Sequence, residues 1–242
     1  MTPANPTIAL VAGETSGDQL GAALVEALKE RYPGARFVGV AGDKMKAAGV
    51  EAWFDASELA VMGLFEVLSH LPRLLRLRRE LRRRLLALRP DVFIGIDAPD
   101  FNLGLEIILR RAGLRTVHYV SPTVWAWREK RVRKIARAAD VVLCLFPFEP
   151  AFYARHDVPA VYVGHPLADQ IDADHAPQEA RRRLGLEPGA GTVALLPGSR
   201  LSETGRLAAP MIEAARLLAA RRPALQFVAA MASADIEAGF RD

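Results

Sequence analysis

The stretch Thr7-Ile-Ala-Leu-Val-Ala-Gly-Glu-Thr-Ser-Gly-Asp18 decides the fold class of this chain. Its first five residues form a nearly continuous apolar run, which is typical of a strand covered on both faces. A glycine-containing turn follows, and the residues after it have the spacing of a helix. The stretch therefore predicts a strand, a tight turn and a helix, the repeating unit of α/β proteins with a parallel sheet.

The same pattern continues along the chain. Apolar runs predict eight strands, at 7–11, 36–40, 92–96, 116–120, 141–145, 160–163, 192–196 and 225–229. Helical spacing predicts helices at about 17–32, 63–88, 101–113, 128–138, 148–156, 178–185, 203–222 and from 233 onward. We therefore expect a Rossmann-like domain over 1–163, a linker over 164–177, and the start of a second α/β domain over 178–242. With two recognisable strands, the second domain is expected to be incomplete.

The composition of the 242 residues excludes several classes of protein. A hydrophobic fraction of 51% with 25% charged residues is typical of a globular chain and excludes extensive disorder. The single cysteine, Cys144, excludes an internal disulfide and a cysteine-based zinc site, so we expect a reducing compartment. We recognise no signal peptide and no apolar run that would cross a bilayer, so any membrane contact is expected to be peripheral.

Basic residues are concentrated in one segment. Residues 71–89 hold eight arginines against one glutamate, whereas the whole chain has a formal net charge of +4. Leucines recur at helical spacing through residues 60–89, and the arginines occupy the other faces. A basic amphipathic helix of this kind can lie at an anionic membrane surface, but its leucines can equally belong to the core. No recognised nucleic-acid-binding module accompanies the arginines, so we expect no nucleic-acid partner.

The turn after the first strand is a candidate site for an anion or a sugar. Gly13 and Gly17 allow a tight turn, and the following helix amino terminus presents backbone N–H groups. Glu14 lies at the carboxyl end of a strand, the edge where parallel sheets bind ligands. The turn matches neither the dinucleotide fingerprint nor the P-loop. The structural alternative is that the glycines only shape the turn, while Ser16 or Asp18 caps the helix.

A second candidate site follows the third predicted strand, in Ile94-Gly-Ile-Asp-Ala-Pro-Asp-Phe-Asn102. Asp97 lies just beyond the apolar run, where partial burial suits a carboxylate to general-base chemistry toward a hydroxyl group. We predict a functional role for Asp97. For Asp100 and Asn102, the structural alternative is capping of a helix that begins at Phe101.

A third candidate is the aromatic and basic loop His118-Tyr-Val-Ser-Pro-Thr-Val-Trp-Ala-Trp-Arg-Glu-Lys-Arg131. Trp125 and Trp127 beside three basic residues can stack on a sugar ring or hold a phosphate or acyl ligand. A packed loop is the alternative. The five histidines have no spacing that predicts a metal site. For His118 and His165, a place in the cleft and a place as a satisfied polar residue both remain open.

A fourth candidate is Leu195-Leu-Pro-Gly-Ser-Arg200, with Glu203 in the helix that follows. A strand here ends in a tight turn and presents an arginine at a helix amino terminus. This combination suits a phosphate group, and a nucleoside diphosphate in particular. The structural alternative is that Ser199 or Ser202 caps the helix and that Arg200 is exposed.

Six motifs together resemble one family, lipid-A-disaccharide synthase, a glycosyltransferase that joins two acylated glucosamine units. The motifs are Ala12-Gly-Glu-Thr-Ser-Gly-Asp18, Gly95-Ile-Asp-Ala-Pro-Asp-Phe-Asn102, His118-Tyr-Val-Ser-Pro-Thr-Val-Trp-Ala-Trp-Arg128, Pro147-Phe-Glu149, Gly164-His-Pro166 and Leu195-Leu-Pro-Gly-Ser-Arg200. The resemblance implies a two-domain GT-B fold, with the acceptor on the amino-terminal half and the UDP-sugar donor mainly on the other half. Family members continue well beyond the position of Asp242, so it also implies a shortened chain with little activity of its own.

The reaction implied by the resemblance transfers 2,3-diacylglucosamine from UDP-2,3-diacylglucosamine to the 6-hydroxyl of 2,3-diacylglucosamine 1-phosphate, with inversion and release of UDP. No metal and no cofactor is expected. Asp97 is the implied general base, with Glu14 as the second catalytic candidate. Residues implied in substrate binding are Gly13, Ser16, Gly17, Asp18, Asp100, Asn102, Ser121 and Trp127, with Arg200 and Glu203 toward the donor phosphates.

Acylated substrates give the basic segment a role, which is to dock at the cytoplasmic leaflet so that acyl chains enter without leaving the bilayer. The implied membrane residues are Val61, Met62, Leu64, Phe65, Leu68, Arg73 and Arg76. The expected location is therefore cytoplasmic and peripheral at the inner face of the cytoplasmic membrane. A homodimer is kept open as a further partner.

Two other functions remain as alternatives. The chain could bind an acylated glucosamine phosphate or an anionic lipid without turnover. It could also be another GT-B enzyme that uses a UDP-sugar, such as an epimerase or a soluble transferase, although the basic apolar segment favours a lipid substrate.

Overall fold

The computed structural model describes residues 5–59, 64–171, 177–198, 201–231 and 234–241. The chain divides into two compact units, Met1–Ile171 and Asp172–Asp242. The division falls inside the segment 164–177. We describe each unit by itself.

The first unit is built on a seven-stranded parallel sheet with the order β3-β2-β1-β4-β5-β6-β7. Its strands are β1 Thr7–Ala12, β2 Arg36–Ala41, β3 Glu51–Asp55, β4 Val92–Ile96, β5 Thr116–Tyr119, β6 Val141–Cys144 and β7 Ala160–Tyr162. Its helices are α1 Thr15–Arg31, α2 Asp43–Ala47, α3 Leu64–Leu88, α4 Pro99–Arg111, α5 Val132–Ala138, α6 Glu149–Ala154 and α7 Pro166–Gln170. This architecture confirms the predicted α/β class.

Helices cover both faces of the sheet, which explains why the strands read as continuous apolar runs. On one face, Leu20 of α1 packs in a cluster with Leu10 of β1. On the other face, residues of α3 and α4 pack against β1, β2 and β4. The side chains of β1 from Ala9 to Ala12 are fully buried as a result.

The order of the strands along the chain reverses direction between β1 and β4. Successive elements run outward from β1 through β2 to β3 on one side, and from β4 to β7 on the other. The chain therefore leaves the carboxyl ends of β1 and β4 in opposite directions, and the region at these two strand ends, around Gly13, Glu14, Asp97 and Ala98, is called the crevice below. Open parallel sheets bind their ligands at such a switch point.

Helix α3 contains most of the basic segment, and its leucines and arginines have different environments. Leu77, Leu81 and Leu85 are spaced four apart, are buried, and belong to the core. For this half of the helix, the core interpretation of the leucines is correct. Leu75 is 50% exposed, and exposed arginines cover the outward faces, namely Arg73, Arg76, Arg79, Arg82, Arg83 and Arg84.

The second unit contains a two-stranded parallel sheet of β8 Thr192–Leu195 and β9 Gln226–Ala229. Its helices are α8 Pro177–Arg183, α9 Leu201–Arg221 and α10 Ala234–Arg241. All eight predicted strands are thus present in the two units, with ends that differ by a residue.

The elements that the sequence did not predict are short or lie at an edge. Strand β3 is the sheet's edge strand, and its five residues are exposed or only partly buried. Helices α2 and α7 have five residues each, and α7 occupies part of the predicted linker. Helix α1 begins two residues earlier than expected, at Thr15.

A substitution at Gly39 tests the close packing at the centre of the sheet. Gly39 in β2 has a φ of +143°, and a Cβ there would lie 1.9 Å from the carbonyl oxygen of Leu10. We expect Gly39→Ala to destabilise the first unit by about 3 kcal/mol or more, because the backbone must shift. Thermal unfolding followed by circular dichroism measures this.

Gly17→Ala is the matched control. Gly17 lies inside α1, and a Cβ there would meet its neighbours at 3.6 Å, an ordinary contact distance. The change is expected to stabilise the helix by up to about 1 kcal/mol. Similar melting temperatures for the two variants would contradict this account of the sheet.

Candidate functional site

The pairing of β1 with β4 brings the loops that follow these strands into contact at the crevice. Strand pairing places Ala12 of β1 beside Ile96 of β4, so the residues that follow these two strands lie at the same edge of the sheet. A Cβ on Gly13 would lie 3.0 Å from the Cβ of Ala98. The structure thus brings together the loops that carry Glu14, the N-cap residue of α1, and Asp97.

Asp97 has an unusual backbone. Its φ is 50°, and that of Ala98 is 40°, so two consecutive residues other than glycine are left-handed. Each such residue costs roughly 1–3 kcal/mol and persists only where its surroundings hold it. The Asp97 amide donates to the carbonyl oxygen of Tyr119 on β5 at 2.9 Å.

The Asp97 side chain is available to a ligand. It is partly buried, and within the described parts of the chain its carboxylate accepts no hydrogen bond and forms no ion pair. A half-buried carboxylate at the mouth of a crevice is suited to accept a proton from a bound hydroxyl group.

Asn102 has a different place from the one predicted. Helix α4 begins at Pro99 with Ala98 as its N-cap and no side-chain cap, so the expected cap by Asp100 or Asn102 is wrong. Asn102 is 0% exposed and therefore does not reach a substrate as placed here. Its Nδ2 donates to the carbonyl oxygens of Val11 at 3.3 Å, Ile96 at 3.3 Å and Asp97 at 2.9 Å.

Asp18 is also a structural residue rather than a cleft residue. It is 5% exposed. Its carboxylate accepts the backbone N–H groups of Gly42 at 2.8 Å, Lys44 at 2.9 Å and Met45 at 3.1 Å. These groups belong to the amino terminus of α2, so Asp18 serves that helix and not its own. The alternative that Ser16 or Asp18 caps α1 is wrong, because Glu14 is the N-cap. Ser16 itself is exposed in the first turn of α1.

Asp100 links the β4 loop to the basic loop. It is exposed, and its carboxylate forms an ion pair with Arg131. Trp127 is 58% exposed, its Nε1 donates to Thr123 Oγ1 at 3.1 Å, and the Arg128 guanidinium lies 4.4 Å from its ring centre. An aromatic face and cations are therefore present at the carboxyl end of β5.

A buried glutamate organises the aromatic side chains next to this loop. Glu149 is 2% exposed, and it accepts hydrogen bonds from Trp125 Nε1 at 3.3 Å and from the Phe146 amide at 3.0 Å. Trp125 packs edge-on against Phe148 with ring centres 4.9 Å apart. Residue spacing does not reveal this role, because the partners of Glu149 are an indole 24 positions away and a backbone amide.

Ser121 lies in the interior rather than in the crevice. It is 6% exposed, and its Oγ shares a hydrogen bond with the Tyr153 hydroxyl at 3.0 Å. Burial raises the pKa of Tyr153 well above its ordinary range. Burial, with a contribution from Glu149, raises the pKa of the Cys144 thiol to about 12. Neither residue is therefore ionised near neutral pH.

The two histidines singled out from the sequence have structural roles. His118 is 0% exposed, and its Nδ1 lies 2.7 Å from Oε1 of the equally buried Glu106. His165 is the N-cap of α7, and its Nδ1 accepts the Leu167 amide at 3.2 Å. Across the described ranges, no group of His, Cys, Asp and Glu side chains has the arrangement of a metal site.

Several predicted residues lie elsewhere. In the second unit, Glu203 is in the first turn of α9, and a Cβ on Gly198 would lie 2.7 Å from its Oε2. Arg200, Val61 and Met62 lie outside the described residues.

Other residues predicted to contact a membrane lie in helix α3. Leu64, Phe65 and Leu68 belong to this helix, and Arg73 pairs with Glu58 at 3.0 Å. Of the described helices, none has the length and apolar character needed to cross a membrane.

Solved structures with the same fold identify the class. A putative UDP-N-acetylglucosamine 2-epimerase from Listeria monocytogenes is similar with a TM-score of 0.65 and 16% identity, over 98% of this chain and 65% of that one. The calicheamicin glycosyltransferase CalG4 has a TM-score of 0.56 and 15% identity, over 94% and 66%. The fold and its switch-point crevice therefore define an α/β protein of the GT-B type.

Sequence comparison identifies the family. The matching family model is described as Lipid-A-disaccharide synthetase and covers residues 8–242. The lipid-A-disaccharide synthase of Xanthomonas campestris pv. campestris is 60% identical over 220 residues, 91% of this chain and 50% of that protein. That of Erwinia tasmaniensis is 58% identical over 227 residues, 93% and 60%. The chain belongs to the lipid-A-disaccharide synthase family, and it spans about half the length of the first of these relatives.

Removing the Asp18 carboxylate tests its structural role. Asp18→Ala leaves three backbone N–H groups at α2 without their acceptor, so we expect the free energy of unfolding to fall by about 2–3 kcal/mol. The control is Asp43→Ala in the same helix, since the Asp43 side chain is fully exposed and its loss is expected to change stability by less than about 1 kcal/mol. Urea unfolding measures both. An equal loss in the two variants would refute the role.

Proposed function

We propose that the whole protein to which this sequence belongs transfers 2,3-diacylglucosamine from its UDP conjugate to the 6-hydroxyl of 2,3-diacylglucosamine 1-phosphate. Family membership supports this reaction. The observation that carries the site assignment is the partly buried Asp97 carboxylate at the switch point, which has no side-chain partner among the described residues. In this proposal the first unit holds the acceptor.

Asp97 acts as the general base in the proposed mechanism. Its carboxylate accepts the proton of the acceptor 6-hydroxyl while the hydroxyl oxygen attacks the anomeric carbon of the donor. The bond from that carbon to the UDP oxygen breaks on the opposite face, so the configuration inverts and UDP leaves with the bonding electrons. Glu14, on the facing loop, is the second candidate for this role.

Other predicted residues are assigned to substrate binding. The turn residue Gly13 and the first turn of α1, which contains Ser16 and Gly17, border the acceptor. Trp127 with Arg128 presents a ring face and a cation to a sugar phosphate. Arg200 and Glu203 are assigned to the donor phosphates on the basis of the resemblance. Asp18, Asn102 and Ser121 are not included, because their polar atoms face the interior.

Replacement of Asp97 tests the base. Asp97→Asn keeps the shape of the side chain and suits the left-handed backbone, but it removes the proton acceptor. We expect UDP release to fall at least about 100-fold, as measured with both substrates by a coupled UDP assay.

Asp157→Asn is the matched control for this test. Asp157 also has a left-handed backbone, with a φ of 53°, but it is exposed and precedes β7, so it lies toward the other edge of the sheet. This variant is expected to retain full activity. Undiminished UDP release by Asp97→Asn would exclude Asp97 as the base and favour Glu14. Acceptor binding without UDP release in the unsubstituted whole protein would favour the alternative of a binding protein.

We further propose that the exposed arginines of α3 hold the protein at an anionic membrane surface, on the cytoplasmic side. Two features support this: the outward faces of the helix carry six exposed arginines, and the acylated substrates are themselves membrane lipids. Each arginine near such a surface contributes about 1 kcal/mol of attraction. A homodimer stays a prediction.

Charge reversal on α3 tests the membrane contact. We expect the protein to sediment with vesicles that contain phosphatidylglycerol at low salt, and the double variant Arg79→Glu, Arg82→Glu to reduce binding at least about tenfold. The control reverses two exposed arginines of the second unit, Arg216→Glu and Arg222→Glu. Equal losses in the two double variants would show attraction by net charge alone.

A further inference from the structure

The left-handed turn at Asp97 and Ala98 is held by a side chain that never reaches the crevice. Asn102 is fully buried one turn into α4. Its amide group donates to the carbonyl oxygen of Asp97 and to carbonyl oxygens near the ends of the two strands that meet at the switch point, those of Val11 in β1 and Ile96 in β4. One side chain therefore ties together β1, β4 and the turn.

Only one orientation of this amide fits its surroundings. The three carbonyl oxygens around Nδ2 accept hydrogen bonds and cannot donate them. Rotating the amide by half a turn would place Oδ1 against three oxygens, so the surroundings fix Nδ2 toward the turn. The other side of the amide, Oδ1, has no hydrogen-bond partner in the described structure.

The space for the Asn102 side chain is provided by Gly95 in β4. A Cβ on Gly95 would lie 2.1 Å from Oε1 of Glu106, and 3.0 Å from Cβ and 3.1 Å from Cγ of Asn102. Glycine at this position of β4 lets the Asn102 side chain lie directly against the strand. The absence of a side chain at Gly95 and the amide at Asn102 are thus two parts of one arrangement.

We propose that Asn102 is a positioning residue, whose amide holds the Asp97–Ala98 turn in its left-handed form and so aims the Asp97 carboxylate into the crevice. The inference rests on the proposed function of Asp97. The turn is unfavourable for aspartate and alanine by themselves, and the hydrogen bond to the Asp97 carbonyl oxygen fixes the peptide plane between them. Without that bond the turn relaxes and the carboxylate swings away from the bound hydroxyl.

A rescue experiment separates this role from simple packing. Asn102→Ala removes the donor, and Ala98→Gly in the same chain then supplies a residue that adopts a left-handed conformation at little cost. We expect Asn102→Ala to lower kcat roughly 10–100-fold with KM for the acceptor within about threefold, because misplacement affects the transition state more than binding. The double variant is expected to recover at least about tenfold of the lost kcat, since glycine restores the turn.

The control is Thr116→Val, another buried polar residue of the same unit. Thr116 is 0% exposed, and its hydroxyl donates to the Ala138 carbonyl oxygen at 2.8 Å at the start of β5, at the opposite edge of the sheet from the crevice. This variant loses a buried hydrogen bond as Asn102→Ala does, but it does not touch the turn. We expect it to lower the melting temperature and to leave kcat unchanged.

A measurement independent of turnover completes the test. The Asp97 amide, bonded to Tyr119, is expected to exchange with deuterium at least about tenfold faster in Asn102→Ala, and at the original rate in Thr116→Val. Unchanged exchange in Asn102→Ala would overturn the inference. So would a double variant no faster in turnover than the single one. If the unsubstituted whole protein releases no UDP, the proposed function fails, while the exchange rates still decide whether Asn102 holds the turn.

Discussion

The pairing of β1 with both β2 and β4 is the constraint on which the first unit depends. This strand is the third of seven, it lies under helices on both faces, and its side chains from Ala9 to Ala12 have no contact with water. A polar side chain inside it would be buried without a partner, at a cost of several kcal/mol. Polar side chains that could contact a ligand are therefore expected just beyond the strand ends. Gly13, Glu14 and Asp97 occupy those positions.

The same constraint explains the buried polar residues of this unit. The strand ends and short helices around the crevice leave backbone groups that water does not reach, and these need partners. Asp18, Asn102 and Glu149 each provide them, with bonds to backbone amides or carbonyls. These side chains resemble binding residues in the sequence, because they are polar and follow apolar strands. In the folded protein, however, their hydrogen-bond partners include backbone groups of the same chain.

The sequence predicted the sheet, but it did not separate polar residues that could bind a ligand from those that bond to the backbone. The strands, the parallel sheet and the edge that carries the site follow from local apolar runs, which burial on both faces makes easy to recognise. Two of the failed caps have a common cause: local rules search three residues ahead, whereas Asp18 bonds to residues 24–27 positions away and Asn102 to Val11, 91 positions away. Strand β3 was missed because an edge strand of five half-exposed residues lacks a continuous apolar run.

The placement of β1 also affects how the unit folds during synthesis. Its partner β4 lies about 80 residues later in the chain, and the Thr7 amide bonds to Asp91, 84 positions away. At translation rates of about 5–20 residues per second, one edge of β1 remains unpaired for on the order of 5–15 seconds until β4 has been synthesised. An apolar strand with an open edge invites pairing with other chains. Protection by chaperones on the ribosome is therefore more important for this unit than for a protein of the same size built from hairpins.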